Sequence, residues 1–132
     1  MSMTVYDLEQ TVKSGLATVV KTTTINHGQL FIETSVKTLY STILYLKTNY
    51  KCRFKQLIDI TAVDYPEKEK RFKLVYLLLS HENNLRILVN MNIDEKTQVP
   101  SIIKIFPSAN WMEREVFDMY GISFKDHPDL RR

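Results

Sequence analysis

Four ionisable side chains, Glu113, Arg114, Glu115 and Asp118, fall within six residues, and His127 and Arg131 follow in a proline-restrained tail. Two chemistries could use such a set: proton transfer between paired acids, or charge-assisted contact with another surface. Spacing decides against the first. On a helix, positions i and i+2 diverge by roughly 200°, so Glu113 and Glu115 cannot flank one bond as general acid and base. Arg114 and Asp118, four apart, share a face and can pair. Glu115 and Asp118, three apart, bring two negative charges together and require a cation, either Arg131 or an arginine of a partner. Contact chemistry is therefore the reading for Glu113, Arg114, Glu115, Asp118, His127 and Arg131. Trp111, Phe117 and Tyr120 supply the aromatic anchors that interfaces favour. The protein's own core is the competing destination for Phe117 and Tyr120.

Other chemistries lack their residues. Neither a G-x-G-x-x-G nor a P-loop pattern is present, so no nucleotide has a seat. Cys52 is the single cysteine, and His27, His81 and His127 are far apart, so no metal or iron–sulfur ligand set forms. No cofactor is expected. A net charge of +3 is spread along the chain and interleaved with acids, as in Glu67-Lys68-Glu69-Lys70-Arg71. Nucleic-acid binding would need a clustered patch. No apolar run approaches the roughly 20 residues that span a bilayer. The N-terminus carries Asp7 and Glu9 and has no arginine before Arg53, unlike a transit peptide. Synthesis inside an organelle is the simplest account if the protein works there.

The elements that must position these residues follow from periodicity. Thr4 to Lys13 reads as a short helix, with Val5, Leu8 and Val12 at helical spacing. Ala17 to Thr23 and Gln29 to Glu33 read as strands joined by a turn at Asn26-His27-Gly28. Ser35 opens a helix to about Asn49. Three strands follow: Phe54 to Val63, with Cys52 at its start as a small buried hydrophobe, then Phe72 to Leu79 and Leu85 to Ile93. The middle one is apolar on both faces and is predicted to be central. In the first, Phe54, Gln56, Ile58, Ile60 and Ala62 should share a face. A turn over Ile102 to Phe106 ends at Pro107. The last helix starts at Ser108 or Asn110, where Glu113 can answer the cap. Its apolar stripe is Met112, Val116, Met119 and Tyr120, and Gly121 is its left-handed stop. The prediction is a two-layer α+β fold: helix, two strands, helix, three strands and short C-terminal helices on a five-stranded, mostly antiparallel mixed sheet. Residues 1–121 form one domain, its core complete by Tyr120, and residues 122–132 an extended charged segment.

Three stretches carry a family resemblance. They are Leu57-Ile58-Asp59-Ile60-Thr61-Ala62-Val63-Asp64-Tyr65-Pro66 with Arg71-Phe72, then Phe106-Pro107-Ser108-Ala109-Asn110-Trp111, then the motif beginning Glu113-Arg114-Glu115. That motif runs Glu-Arg-Glu, two residues, Asp, two apolar residues, six residues, His, three residues, Arg. The chain resembles the 30-kDa subunit family of respiratory complex I, also called NADH dehydrogenase subunit 9. The resemblance implies a non-catalytic structural subunit of the quinone-module arm of proton-pumping NADH:ubiquinone oxidoreductase. Such a subunit holds no flavin, cluster or NADH and has no activity alone. It braces the 49-kDa quinone-site subunit beside iron–sulfur subunits, on the matrix face of the mitochondrial inner membrane. The equivalent subunit of a membrane-bound hydrogenase or of the chloroplast relative is the alternative, ahead of a freestanding binding module or a small hydrolase. Family members continue past the position of Arg132, so a separately encoded C-terminal fragment is a further expected partner.

Overall fold

The computed structural model describes residues 3–128. Its elements are α1 (Val5–Gly15), β1 (Thr22–Asn26), β2 (Gln29–Glu33), α2 (Leu39–Thr48), β3 (Gln56–Asp64), β4 (Phe72–Ser80), β5 (Leu85–Ile93), β6 (Gln98–Pro100), α3 (Ala109–Tyr120) and β7 (Ser123–Lys125). Five strands form one sheet in the order β1-β2-β5-β4-β3. Only β2 and β5 run parallel, with Phe31 opposite Leu88; β1–β2, β3–β4 and β4–β5 are antiparallel. The α+β prediction with a mixed, mostly antiparallel five-stranded sheet holds. A second ribbon, β6 paired parallel with β7, was not foreseen.

Local chemistry sets the boundaries. Thr4 caps α1: its hydroxyl accepts from the Asp7 N–H, and the Asp7 carboxylate accepts from the Thr4 N–H. His27 and Gly28, at φ 52° and 75°, make the two-residue hairpin turn whose twist suits paired strands. The first strand lies later than its Val-rich run suggested. Val19 and Val20 instead sit in a turn whose N–H groups donate to the Leu16 carbonyl. In α2 the expected start at Ser35 moves to Leu39, because Ser35 and Thr38 are spent on a local hydroxyl network with Thr34.

One face of the sheet builds the core. Leu30 and Ile32, Leu57 and Ile60, Phe72 through Leu78 at alternate positions, and Ile87 through Ile93 at alternate positions are all buried. Against them pack Leu8 and Val12 of α1, Leu39, Ile43 and Leu46 of α2, and Ala109 and Val116 of α3. A bulge between Leu57 and Asp59 breaks the predicted alternation of β3, so Leu57 rather than Gln56 faces inward. The central strand is β5, not β4. Val75, Leu77 and Leu79 of β4 are half-buried on the sheet's other face. Cys52 is buried, but in the turn after α2 and ahead of β3 rather than at the start of a strand. The domain does not stop at Gly121: Ile122 and Phe124 are buried, and β7 carries the fold on to Lys125.

Candidate functional site

The site is α3 and what holds it. Ile102 starts a turn closed by bonds from the Ile105 and Phe106 N–H groups to its carbonyl. Lys47 of α2 donates to the Ile105 carbonyl at 2.6 Å and lies over the Phe106 ring. The helix follows with Ser108 at its N-cap position, making no side-chain cap bond, and ends at Gly121 at φ 74°. That positive φ is the left-handed stop the sequence called for.

Glu113 does not answer a cap at Asn110. It is 0% exposed, and its carboxylate accepts from the Ser101 hydroxyl at 2.7 Å and the Ile102 N–H at 2.9 Å. Glu113 therefore caps the preceding turn, pinning α3 to the segment after β6. Burial pushes its carboxyl above the ordinary Glu value, against the opposing pull of the two hydrogen bonds and of His127. As a surface contact Glu113 is corrected: its acceptors are spent inside the chain. Tyr76 of β4 lies in the same field. Its buried hydroxyl has no hydrogen-bond partner among the described residues, and burial, reinforced by Glu113, raises its pKa well above normal.

The remaining predicted residues divide by helical angle. Ala109, Glu113 and Val116 are buried, with Met112, Phe117 and Tyr120 partly so. Trp111, Arg114, Glu115, Asp118 and Met119 point outward. Trp111 is 66% exposed and Met119 72%, so Met119 leaves the apolar stripe assigned to it. Tyr120 packs edge-on to Phe72 of β4, with ring centroids 5.9 Å apart, and so belongs with the core. Arg114 and Asp118 share the outer face as spacing required, yet among the described residues no ion pair joins them or engages Glu115. His127 places Nε2 2.9 Å from the Asn110 carbonyl, which can only accept, so that nitrogen carries the proton. This bond ties the segment after β7 back to the start of α3. Arg131 lies outside the described residues.

One neighbour was missed as a site residue. Arg71, just before β4, donates from Nε and a terminal nitrogen to both Asp64 oxygens at 2.7 and 2.9 Å, and to Glu95 at 2.8 Å. Its guanidinium holds the Asp64 carboxyl below the usual carboxylate range. Arg71, Asp64 and Glu95 border a shallow cavity of about 280 Å³ that Met119 and Gly121 close from the helix side. Arginine at a hairpin mouth was visible in the sequence, but its two acids are 7 and 24 residues away. Among the described residues no group of three or more His, Cys, Asp or Glu could hold a metal, and no helix is long and apolar enough to cross a membrane.

Fold and site together define a small α+β domain that locks one helix from within and displays its charged–aromatic face. Residues 32–132 match the family model described as respiratory-chain NADH dehydrogenase, 30 Kd subunit, and the chain belongs to that family. An NADH-quinone oxidoreductase subunit of Ruegeria sp. (strain TM1040) is 52% identical over 108 residues, 82% of this chain and 54% of that protein. The protein of the same name from Paramagnetospirillum magneticum is 44% identical over all of this chain and 67% of its own length. The chain spans about half the length of several such relatives. A solved structure of the trypsin-resistant fragment (1–134) of Nqo5 matches with TM-score 0.79 at 28% identity, covering 93% of this chain and 98% of that one. A chain of an archaeal membrane-bound sulfane sulfur reductase shares the fold, at TM-score 0.76 and 23% identity over 91% of this chain and 69% of that one.

Proposed function

We propose that this chain is a non-catalytic structural subunit of the peripheral arm of a proton-pumping NADH:quinone oxidoreductase. In this reading it braces the 49-kDa quinone-site subunit, near the iron–sulfur subunits, through the outer face of α3. The observation that carries the reading is that Trp111 and Met119 stand out of a helix whose other face is firmly seated. Burying each of them in a partner would contribute about 1.5–3 kcal/mol, where the isolated chain leaves both in water. Arg114, Glu115 and Asp118 surround them as a polar rim, and His127 fixes the segment beside the helix start.

Support for the assembly comes from the family and from relatives named as subunits of NADH-quinone oxidoreductase. Those relatives are bacterial. A mitochondrial, matrix-facing location is part of this reading; the Pro107-Ser108-Ala109-Asn110-Trp111 and His127-Pro128-Asp129-Leu130-Arg131-Arg132 segments resemble mitochondrial and proteobacterial members more than the hydrogenase and chloroplast versions. Affinity purification of the tagged chain from its own cells, with mass identification of co-purifying subunits, tests the reading. Recovery of the quinone-site and iron–sulfur subunits is expected from the wild type and should fall with Trp111→Ala. Recovery of the chain alone, or of an unrelated assembly, would overturn it.

A further inference from the structure

We propose that the outer face of α3 continues past Gly121 onto the Asp64–Arg71–Glu95 cluster as one acidic docking surface, and that its occupant is a basic protein surface with an apolar pocket. This deepens the reading above and rests on it, naming the chemistry of the partner. The outer face of α3 carries Arg114, Glu115 and Asp118, and Met119 and Gly121 meet Asp64, Arg71 and Glu95 at one cavity. These six groups are four carboxylates and two guanidiniums, a formal −2 among them, on a chain whose net charge is +3.

Backbone electrostatics point the same way. The C-terminal end of α3 is the negative end of its helix dipole, and no basic residue occupies its last turn. Arg71 shares one positive charge between two carboxylates, so exposed Glu95 keeps lone pairs for an incoming donor. The cluster is held to the helix: the Arg71 guanidinium lies 5.2 Å over the Phe72 ring, which meets Tyr120 edge-on. An exposed tryptophan and methionine within an acidic rim fit an apolar pocket bordered by lysine or arginine. Nucleic acid and anionic lipid would be repelled.

The test uses the full chain in its native assembly, purified through a tag on this subunit and washed with rising salt. Glu115→Lys/Asp118→Lys, and separately Glu95→Lys, should each lower co-purification of the assembly about tenfold or more at physiological salt. The melting temperature of the free chain should hold, since these side chains are exposed or nearly so. Undiminished recovery of the reversal variants would overturn the proposal. Trp111→Ala and Met119→Ala separate the layers of the argument. Loss with these but not with the reversals keeps α3 as the contact and refutes the basic partner. No loss with any variant refutes the placement on α3 as well.

Discussion

Replacing Glu113 by alanine distinguishes an internal lock from a partner contact. The substitution leaves the Ile102 N–H buried without an acceptor, at about 1–3 kcal/mol. The Ser101 hydroxyl is only half-buried and can turn to water, so its loss is small. Removing one buried methylene costs about 0.8 kcal/mol more. Relief from burying a carboxyl offsets part of this, as its raised pKa indicates. The balance is about 2–3 kcal/mol, or roughly 8–12 °C in Tm for a chain of this size. Thermal melts of the free chain followed by circular dichroism read it directly. The pH dependence has a definite sign. Because the folded pKa lies above the ordinary value of 4.5, the native state binds more protons than the unfolded one between the two values. The Glu113 contribution therefore weakens as pH rises from 4.5 through the folded pKa, then levels off. Glu113→Gln should flatten that part of the curve. A Glu113→Ala chain melting within about 2 °C of wild type, while losing assembly, would refute the lock and restore Glu113 to the interface.

Four further outcomes follow from the same geometry. Arg114→Ala should change the stability of the free chain by less than about 0.5 kcal/mol in urea unfolding, since the side chain is exposed and makes no ion pair among the described residues. Tyr76→Phe should stabilise the fold by up to about 1 kcal/mol in the same assay, because it deletes a buried hydroxyl that bonds to nothing among the described residues. Cys52, buried and with its thiol pushed up to about 11, should resist a thiol-specific disulfide reagent at about pH 8 in the native chain and react once unfolded. Gly15→Ala places a methyl 2.0 Å from the Tyr45 hydroxyl oxygen; it should cost about 1–3 kcal/mol, read as a fall in Tm that Tyr45→Ala reduces.

Much of the fold was legible because period-two and 3.6-residue patterns are long in this chain. Leu85–Ile93 alternates along its length, and its five odd positions turn inward or nearly so. Failures occurred where a local hydrogen bond outweighed the pattern. The Val19-Val20 pair has strand composition but is turned by bonds to Leu16. The bulge after Leu57 flips half of β3, and no propensity marks it. Strands of three residues, such as β6 and β7, carry too little periodicity to be seen. The two-faced apolarity of β4 suggested a central strand, yet β5 holds that place and the outer residues of β4 are only half-buried.

The helix that carries the site shows why charge spacing alone misassigned one member. Glu113, Arg114 and Glu115 are successive, so at about 100° per residue they sweep some 200° of the helix circumference. One of them must point toward the core whenever the helix is seated on a sheet. Glu113 takes that direction, together with Ala109, Val116 and Tyr120, which recur at steps of three and four residues. A carboxylate there is tolerable only with donors supplied by another segment, and the turn after β6 supplies two. Those bonds do more than satisfy the acid: they fix the rotation of α3 about its axis. With the rotation fixed, Trp111, Glu115, Asp118 and Met119 have no inward option and must form the outer face. The first glutamate of the motif orients the helix, and its neighbours are left to meet whatever the helix is turned toward.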